Sequence, residues 1–461
     1  VIDRRLVPVL GLGLLCGNFV SLEQTHAEPL RRRGLVGVSL SPVAEEGGKR
    51  QEGDEARGML IVSVMPDSGA LKAGLQDSDV IVKIADSPVT DLQAGIQLLR
   101  KYRAGDTVKI TVLRQDEERT FEVTLRPRPK EKWNGIDVLY DDAGPEGRRV
   151  RTLITRPKEP GKHPAILFLQ SLAPQSIEFS FPMPHPYRNL VESFTKAGFV
   201  FMRVDRPGTG DSEGNDPLNT TIKMDVEAFR DALKKLATYD FVDADNVFVL
   251  AHSTGGAIAP SVARVFPVRG VITYGTTCRP WIAQAVEMME RRWRFDQEPQ
   301  EKIKRDTANL KKFLLACIAR KQTPGEVLAH DEDLASFVRG AEILRQNRYI
   351  FGMPYTFGQE LFDQTIENDW AKIDAPVLAL WGTSDFVASR EDSDCVAAAV
   401  NKAHPGNGVV LSVPKCCHMF SKAEDMEESF LAGFGEFNPA VVEIATNWMK
   451  GQQKAEVPSA P

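Results

Sequence analysis

Cysteine is scarce in this chain, with six in 461 residues and no Cys-x-x-Cys pair. That excludes a disulfide scaffold, a zinc ribbon and a thioredoxin-type redox motif. Charge of one sign is also lacking: the net value is -6, with acidic and basic residues interspersed. A nucleic-acid partner is therefore not expected, and a solvated surface of mixed charge is the simpler reading. No Gly-Lys-Ser/Thr phosphate loop, metal-ligand cluster or internal repeat is found, so no metal or organic cofactor is implied.

Long apolar runs are missing too. The one run near the start, Leu6 to Val20, is too short for a comfortable transmembrane helix, so no stable membrane span is expected. Arg4 and Arg5 precede it, and Thr25-His26-Ala27 offers small residues where a signal peptidase cuts. Residues 1–27 are thus expected to be a signal peptide, and the mature chain to be secreted or periplasmic. Cys16 falls in that leader. The remaining Cys278, Cys317, Cys395, Cys416 and Cys417 are odd in number and are expected to be buried thiols.

What is present reads as two units. Residues 28–33 form a short linker ending in Arg31-Arg32-Arg33. From 34 to 127, short β-rich runs alternate with turns: Leu60 to Met65, Val80 to Ile84 and Val108 to Leu113. Asp91 to Tyr102 has helical spacing, with Leu92, Ile96, Leu98 and Leu99 apolar. Pro127, Pro129 and the charged run Lys130-Glu131-Lys132 mark a second linker. Leu35-Val36-Gly37-Val38, DSGALKAGL from Asp67 and DVIVKI from Asp79 together make residues 34–127 resemble a PDZ domain, of the kind found in exported bacterial proteases. The resemblance implies a peptide-binding site at Leu35, Val36, Gly37 and Val38. There a peptide C-terminus would meet backbone N–H groups and add a strand beside the 91–102 helix. The alternative is a module that only packs on its neighbour.

The second unit, 135–450, alternates strands and helices, which implies a mostly parallel α/β sheet. Ala165 to Leu169 and Phe199 to Val204 are continuous apolar runs, as strands covered on both faces require. A charged, helically patterned stretch at about 281–365 interrupts the rhythm. It is expected to be a cap over the strand ends, the alternative being a peripheral helical subdomain.

Three chemistry-bearing residues follow strands. Ala251-His252-Ser253-Thr254-Gly255 lies between an apolar strand and a helix start, the setting of a nucleophile elbow. The pattern departs from G-x-S-x-G only in Ala251. Asp385 follows the strand Val377 to Trp381, and His418 follows Val409 to Val413. A serine needs a base to take its proton and an acid to orient that base, and Ser253, Asp385, His418 supply these in α/β-hydrolase order. Asp394 is a nearby competitor for the acid. His252 reads as an elbow residue rather than a second base. An oxyanion hole is expected from the Thr254 amide and from Ser171 or Leu172, in the Gln170-Ser171-Leu172 loop.

These residues, with DRPGTGDSEG at 205–214, make the unit resemble α/β-hydrolases of the esterase and prolyl-oligopeptidase-like group. The 205–214 turn is given a structural role. The resemblance implies an α/β-hydrolase fold with a helical cap, preceded by a small mostly-β PDZ-like domain. It also implies a serine hydrolase acting through an acyl-enzyme. A carboxylic ester is the first substrate class expected, and a PDZ-recruited peptide the second.

Overall fold

The computed structural model describes residues 28–43, 58–171, 175–181, 185–214, 217–433 and 435–453. The expected leader, 1–27, and the oxyanion candidate Leu172 lie outside these residues.

The smaller, N-terminal sheet is antiparallel and runs Val38–Pro42, Met59–Val64, Val80–Ile84, Thr107–Arg114, Glu117–Thr124. Val38–Pro42 forms its edge. Asp91 caps the helix Leu92–Leu99 by accepting from the Ala94 amide. Met59, Ile61, Ile81, Ile110 and Val112 are buried between helix and sheet. The strand runs read from sequence land within a residue of these bounds. The expected Asp91 to Tyr102 helix is shorter, because Asp91 becomes its cap.

The larger sheet has eight strands. They are β1 Asp137–Ala143, β2 Val150–Arg156, β3 His163–Leu169, β4 Val200–Val204, β5 Val242–His252, β6 Gly270–Tyr274, β7 Val377–Gly382 and β8 Gly408–Val413. Their spatial order is β1-β2-β4-β3-β5-β6-β7-β8. β2 alone runs antiparallel to the rest of the sheet. This is the α/β-hydrolase fold. Successive residues of one strand serve opposite faces. Leu167 and Val249 enter one core, while Ile166, Phe168, Phe248 and Leu250 enter the other. Such strands lack polar alternation because neither face meets water.

The cap lies between β6 and β7. Its main helices are Trp281–Phe295, Gln300–Leu314, Glu332–Gly340 and Tyr355–Asp363. It also holds a small three-stranded sheet that the helical pattern did not announce. Cys278 and Cys395 bracket the insertion and are bonded, with Cα atoms 5.9 Å apart across a sequence separation of 117. This corrects the expectation of thiols only. Cys317, Cys416 and Cys417 do remain free and buried. Closing so long a loop restricts the unfolded chain. Replacing Cys278 and Cys395 by serine is expected to lower the unfolding free energy by about 2–5 kcal/mol, read as a fall in Tm. An unchanged Tm would show that the bridge adds no constraint.

The two linkers are not loose. Arg32 donates to Asp211 (2.9 Å) and Glu178 (2.7 Å), and the Arg33 amide to Asp211 (2.7 Å). Arg151 reaches Asp205, Asp211 and Glu178 from β2, and all four side chains are buried. Glu131, in the run read as a charged linker, is buried against Arg203 at 2.8 Å. Burial alone would raise its carboxyl pKa, but Arg203 and the donors Phe179 N–H and Trp133 Nε1–H bring it below the usual value. The sequence did not show these pairs because the partners lie far along the chain.

Candidate active site

Ser253 stands at the carboxyl end of the central strand β5, where ligands of open α/β sheets bind. Its backbone is left-handed, φ 54°, ψ −126°. A serine keeps such a conformation only when its surroundings impose it. Here its amide donates to Tyr274 O at 3.0 Å, and its carbonyl accepts from Gly256 N–H (2.9 Å) and Thr276 Oγ1–H (3.1 Å). The helix Thr254–Ala263 starts at once. It approaches β3 so closely that a Cβ on Gly255 would lie 2.2 Å from Leu169 O. Glycine is therefore required two residues after the serine, whereas Ala251 is accommodated, fully buried, two residues before it. The Thr254 amide sits in the first turn of this helix, where N–H groups and the macrodipole favour negative charge.

Asp385 is fully buried in the turn after β7. One carboxylate oxygen accepts from the amides of Val387 (2.8 Å) and Ala388 (2.9 Å). The other lies 2.8 Å from His418 Nδ1. Since an ionised carboxylate only accepts, His418 carries its proton on Nδ1 and leaves Nε2 bare. The competitor Asp394 instead pairs with Arg390 on an exposed face of the helix Arg390–Ala403. His418 itself follows β8 in a turn tied down from below. Tyr274 O–H donates to Cys417 O at 2.7 Å, and Ser384 N–H to Cys416 O at 3.1 Å. The His418 ring lies 4.8 Å from that of His252, next to Ser253 in the chain. The three sequence candidates are thus gathered at the ends of β5, β7 and β8.

Gly275 gave no sequence cue. Its φ is +56°, and a Cβ there would sit 2.8 Å from Asp385 Oδ2 and 2.9 Å from His418 Nδ1. Only a glycine leaves Asp385 and His418 their space. Gly275→Ala is expected to displace the imidazole and cut kcat by about 10²-fold. Steady-state kinetics beside a melting curve checks this, and unchanged kcat would refute the packing argument.

Ser171 lines the same cavity as Ser253, with its Oγ 3.4 Å from Thr254 Oγ1. Its amide, however, points to the Tyr187 hydroxyl at 3.4 Å. What Ser171 offers the cavity is its hydroxyl. The loop is held by its neighbours: Gln170 Nε2–H donates to Val204 O (2.7 Å), and Arg206 donates to Gln170 O (2.6 Å). Arg206 belongs to the 205–214 turn, whose assigned structural role takes this form. Of the PDZ candidates, Val38 opens the edge strand of the smaller sheet, Leu35 pairs antiparallel with Arg126 outside that sheet, and Val36 and Gly37 lie between them. The carbonyls of Val36 and Gly37 accept from Ala70 and Met65, which holds the turn ahead of the edge strand.

The cavity at Ser253 measures about 180 Å³. Trp281, Met288, Phe351 and Met353 of the cap enclose it, with Ala285, Gln284, Thr277 and Val387. The cap therefore meets the site rather than standing apart from it.

Comparison with known proteins agrees with this architecture. Residues 34–125 match the PDZ domain family, and residues 185–422, just over half of the chain, match the family described as serine aminopeptidase, S33. A probable periplasmic serine endoprotease, DegP-like, from Halomonas elongata is 31% identical over 131 residues, 28% of this chain and 27% of its own. Serine endoprotease DegS of Escherichia coli is 27% identical over 100 residues, 21% of this chain and 27% of its own. The chain thus spans about a quarter of the length of these curated relatives. Among solved structures, an esterase of Pyrococcus furiosus is 12% identical, covers 71% of this chain and 97% of its own, and has a TM-score of 0.45. The ferulic-acid-bound Est1E of Butyrivibrio proteoclasticus is 17% identical over 68% of this chain and 98% of its own, with a TM-score of 0.42. The chain is a hydrolase of the serine aminopeptidase S33 family, with a PDZ domain ahead of its α/β-hydrolase fold.

Proposed function

We propose that this hydrolase cleaves carboxylic esters through an acyl-enzyme on Ser253. His418 Nε2 takes the Ser253 proton as Oγ attacks the carbonyl carbon, and returns it to the departing alcohol. Asp385 holds the ring and stabilises its charged form. Water, deprotonated by the same nitrogen, then releases the acid and frees Ser253. The Thr254 amide, in the first turn of its helix, is the donor to the developing oxyanion, and one such donor is worth about 3 kcal/mol.

The observation that carries the ester reading is the cavity. Its lining is uncharged among the described residues, part apolar and part hydroxyl and amide, with no carboxylate to pair with a free α-ammonium group. An aminopeptidase would have to bury that ammonium without a counter-charge, at a cost of several kcal/mol. An uncharged acyl group suits Trp281, Met288 and Phe351 instead. Turnover of p-nitrophenyl esters of two to eight carbons, set beside aminoacyl p-nitroanilides, tests this. The esters are expected to show kcat/KM at least about 10²-fold higher. A preference for the aminoacyl substrates would overturn the ester reading.

One observation favours a second reading, a peptidase served by its PDZ domain. The edge strand Val38–Pro42 carries no partner strand on its outer side among the described residues, and the helix Leu92–Leu99 packs beside it. A peptide C-terminus would add a strand there, with its carboxylate at Leu35, Val36, Gly37 and Val38. The relatives sharing this segment are named as endoproteases. Secretion or a periplasmic location is proposed from the leader, and the Cys278–Cys395 bridge suits an oxidising compartment.

A further inference from the structure

His252 and Tyr187 take no part in the chemistry above, yet both are buried directly beneath it. His252 Nε2 lies 2.9 Å from the backbone carbonyl of His418. Its Nδ1 lies 2.7 Å from the Tyr187 hydroxyl. That hydroxyl in turn lies 3.4 Å from the Ser171 amide. The two ends of this chain fix every donor in it. A carbonyl can only accept, so His252 is protonated at Nε2. A neutral ring then has a bare Nδ1, which can only accept, so Tyr187 donates its O–H to it. The Tyr187 oxygen is left with lone pairs for the Ser171 N–H. Burial, reinforced by the neighbouring His418, holds the His252 pKa well below its ordinary value and keeps the ring neutral. Burial likewise raises that of Tyr187, so it remains a donor. Phe168 and Phe420 pack against the Tyr187 ring, and Phe420 also against His252, which leaves neither ring room to turn.

We propose that Tyr187 and His252 are positioning residues that tie the loop presenting the Ser171 hydroxyl to the backbone of the base His418, so that this wall of the cavity and the base are set by one hydrogen-bonded chain. It rests on the reading of Ser253 as nucleophile and His418 as base. It explains why a histidine, rather than any residue filling the space, precedes Ser253. A side chain without a donor at the Nε2 position would release the His418 carbonyl, and one without an acceptor would release Tyr187.

The test compares His252→Leu, Tyr187→Phe, their double variant and His252→Gln, each checked for fold by circular dichroism and Tm. Turnover of a p-nitrophenyl ester and the rate of fluorophosphonate labelling at Ser253 are the readouts. His252→Leu and Tyr187→Phe are expected to lower kcat and the labelling rate by about 10- to 10²-fold with KM nearly unchanged. The double variant should be no worse than the poorer single one, because both break the same chain. Glutamine keeps one donor and one acceptor and should restore most of the loss. If the two breaking variants fold and turn over within about two-fold of the parent, or if glutamine is as damaging as leucine, the relay is wrong. Should His252→Leu not fold, Tyr187→Phe, which keeps ring and volume, decides alone. Failure of the parent itself to label at Ser253 would instead reject the nucleophile assignment.

Discussion

Ser253→Ala is expected to lower kcat by about 10⁴- to 10⁶-fold on any ester the protein turns over. Removing Oγ deletes the bond-forming atom, so no acyl-enzyme can form, and what survives is binding and the oxyanion donors acting on water. The loss should not be a loss of fold. The Ser253 contacts that shape the elbow are backbone ones, to Tyr274, Gly256 and Thr276, and alanine keeps all three. KM should change little, because most of the cavity wall, Trp281, Met288, Phe351 and Met353 among it, is left unchanged. Initial rates with a p-nitrophenyl ester, with Tm measured alongside, check this. A folded variant with turnover within ten-fold of the parent would remove Ser253 from the mechanism.

Asp385→Asn should be nearly as damaging, with a loss of about 10⁴-fold in kcat. The reason lies in which atoms can donate. Asparagine would keep its oxygen on the Val387 and Ala388 amides, which reach Asp385 Oδ1 at 2.8 and 2.9 Å. Its NH₂ would then face His418 Nδ1, where the aspartate accepts at 2.8 Å. Facing a donor, Nδ1 must give up its proton, and Nε2 takes it. Nε2 then carries the ring's own hydrogen and cannot accept the one on Ser253. The positive charge formed on the ring also loses its buried counter-charge. Unaltered kcat in a folded Asp385→Asn protein would point to another acid. Asp394 is poorly placed for that role, since it sits with Arg390 on an exposed helix face.

The parts legible in sequence were those written in local pattern. Strands buried on both faces must be apolar throughout, so Ala165 to Leu169 and Phe199 to Val204 announced themselves. Ser253 and Asp385 could be placed because each follows such a strand, and His418 because it follows the half-exposed edge strand β8; parallel strands deliver their carboxyl ends to one edge of the sheet. What was not legible depends on partners far apart in the chain. Glu131 looked solvated until Arg203 of β4 was brought to it. Cys278 and Cys395 are separated by 117 residues and meet only because the cap is looped out between them. Gly275 carries no local pattern at all; its need for a bare Cα comes from Asp385 and His418 crossing above it. Tyr187 sits at the start of an ordinary amphipathic helix, and only the third dimension puts its hydroxyl on His252.

The sharpest test is chemical labelling of the unmodified protein with a fluorophosphonate, followed by intact-mass measurement and peptide mapping. Displacement of fluoride by an activated serine leaves one phosphonyl group per chain. That group is expected on Ser253 alone, and absent from Ser253→Ala and from protein unfolded before the reagent is added. Folded protein that takes no label, or takes it on a serine other than Ser253, would contradict the assignment of Ser253 as the nucleophile.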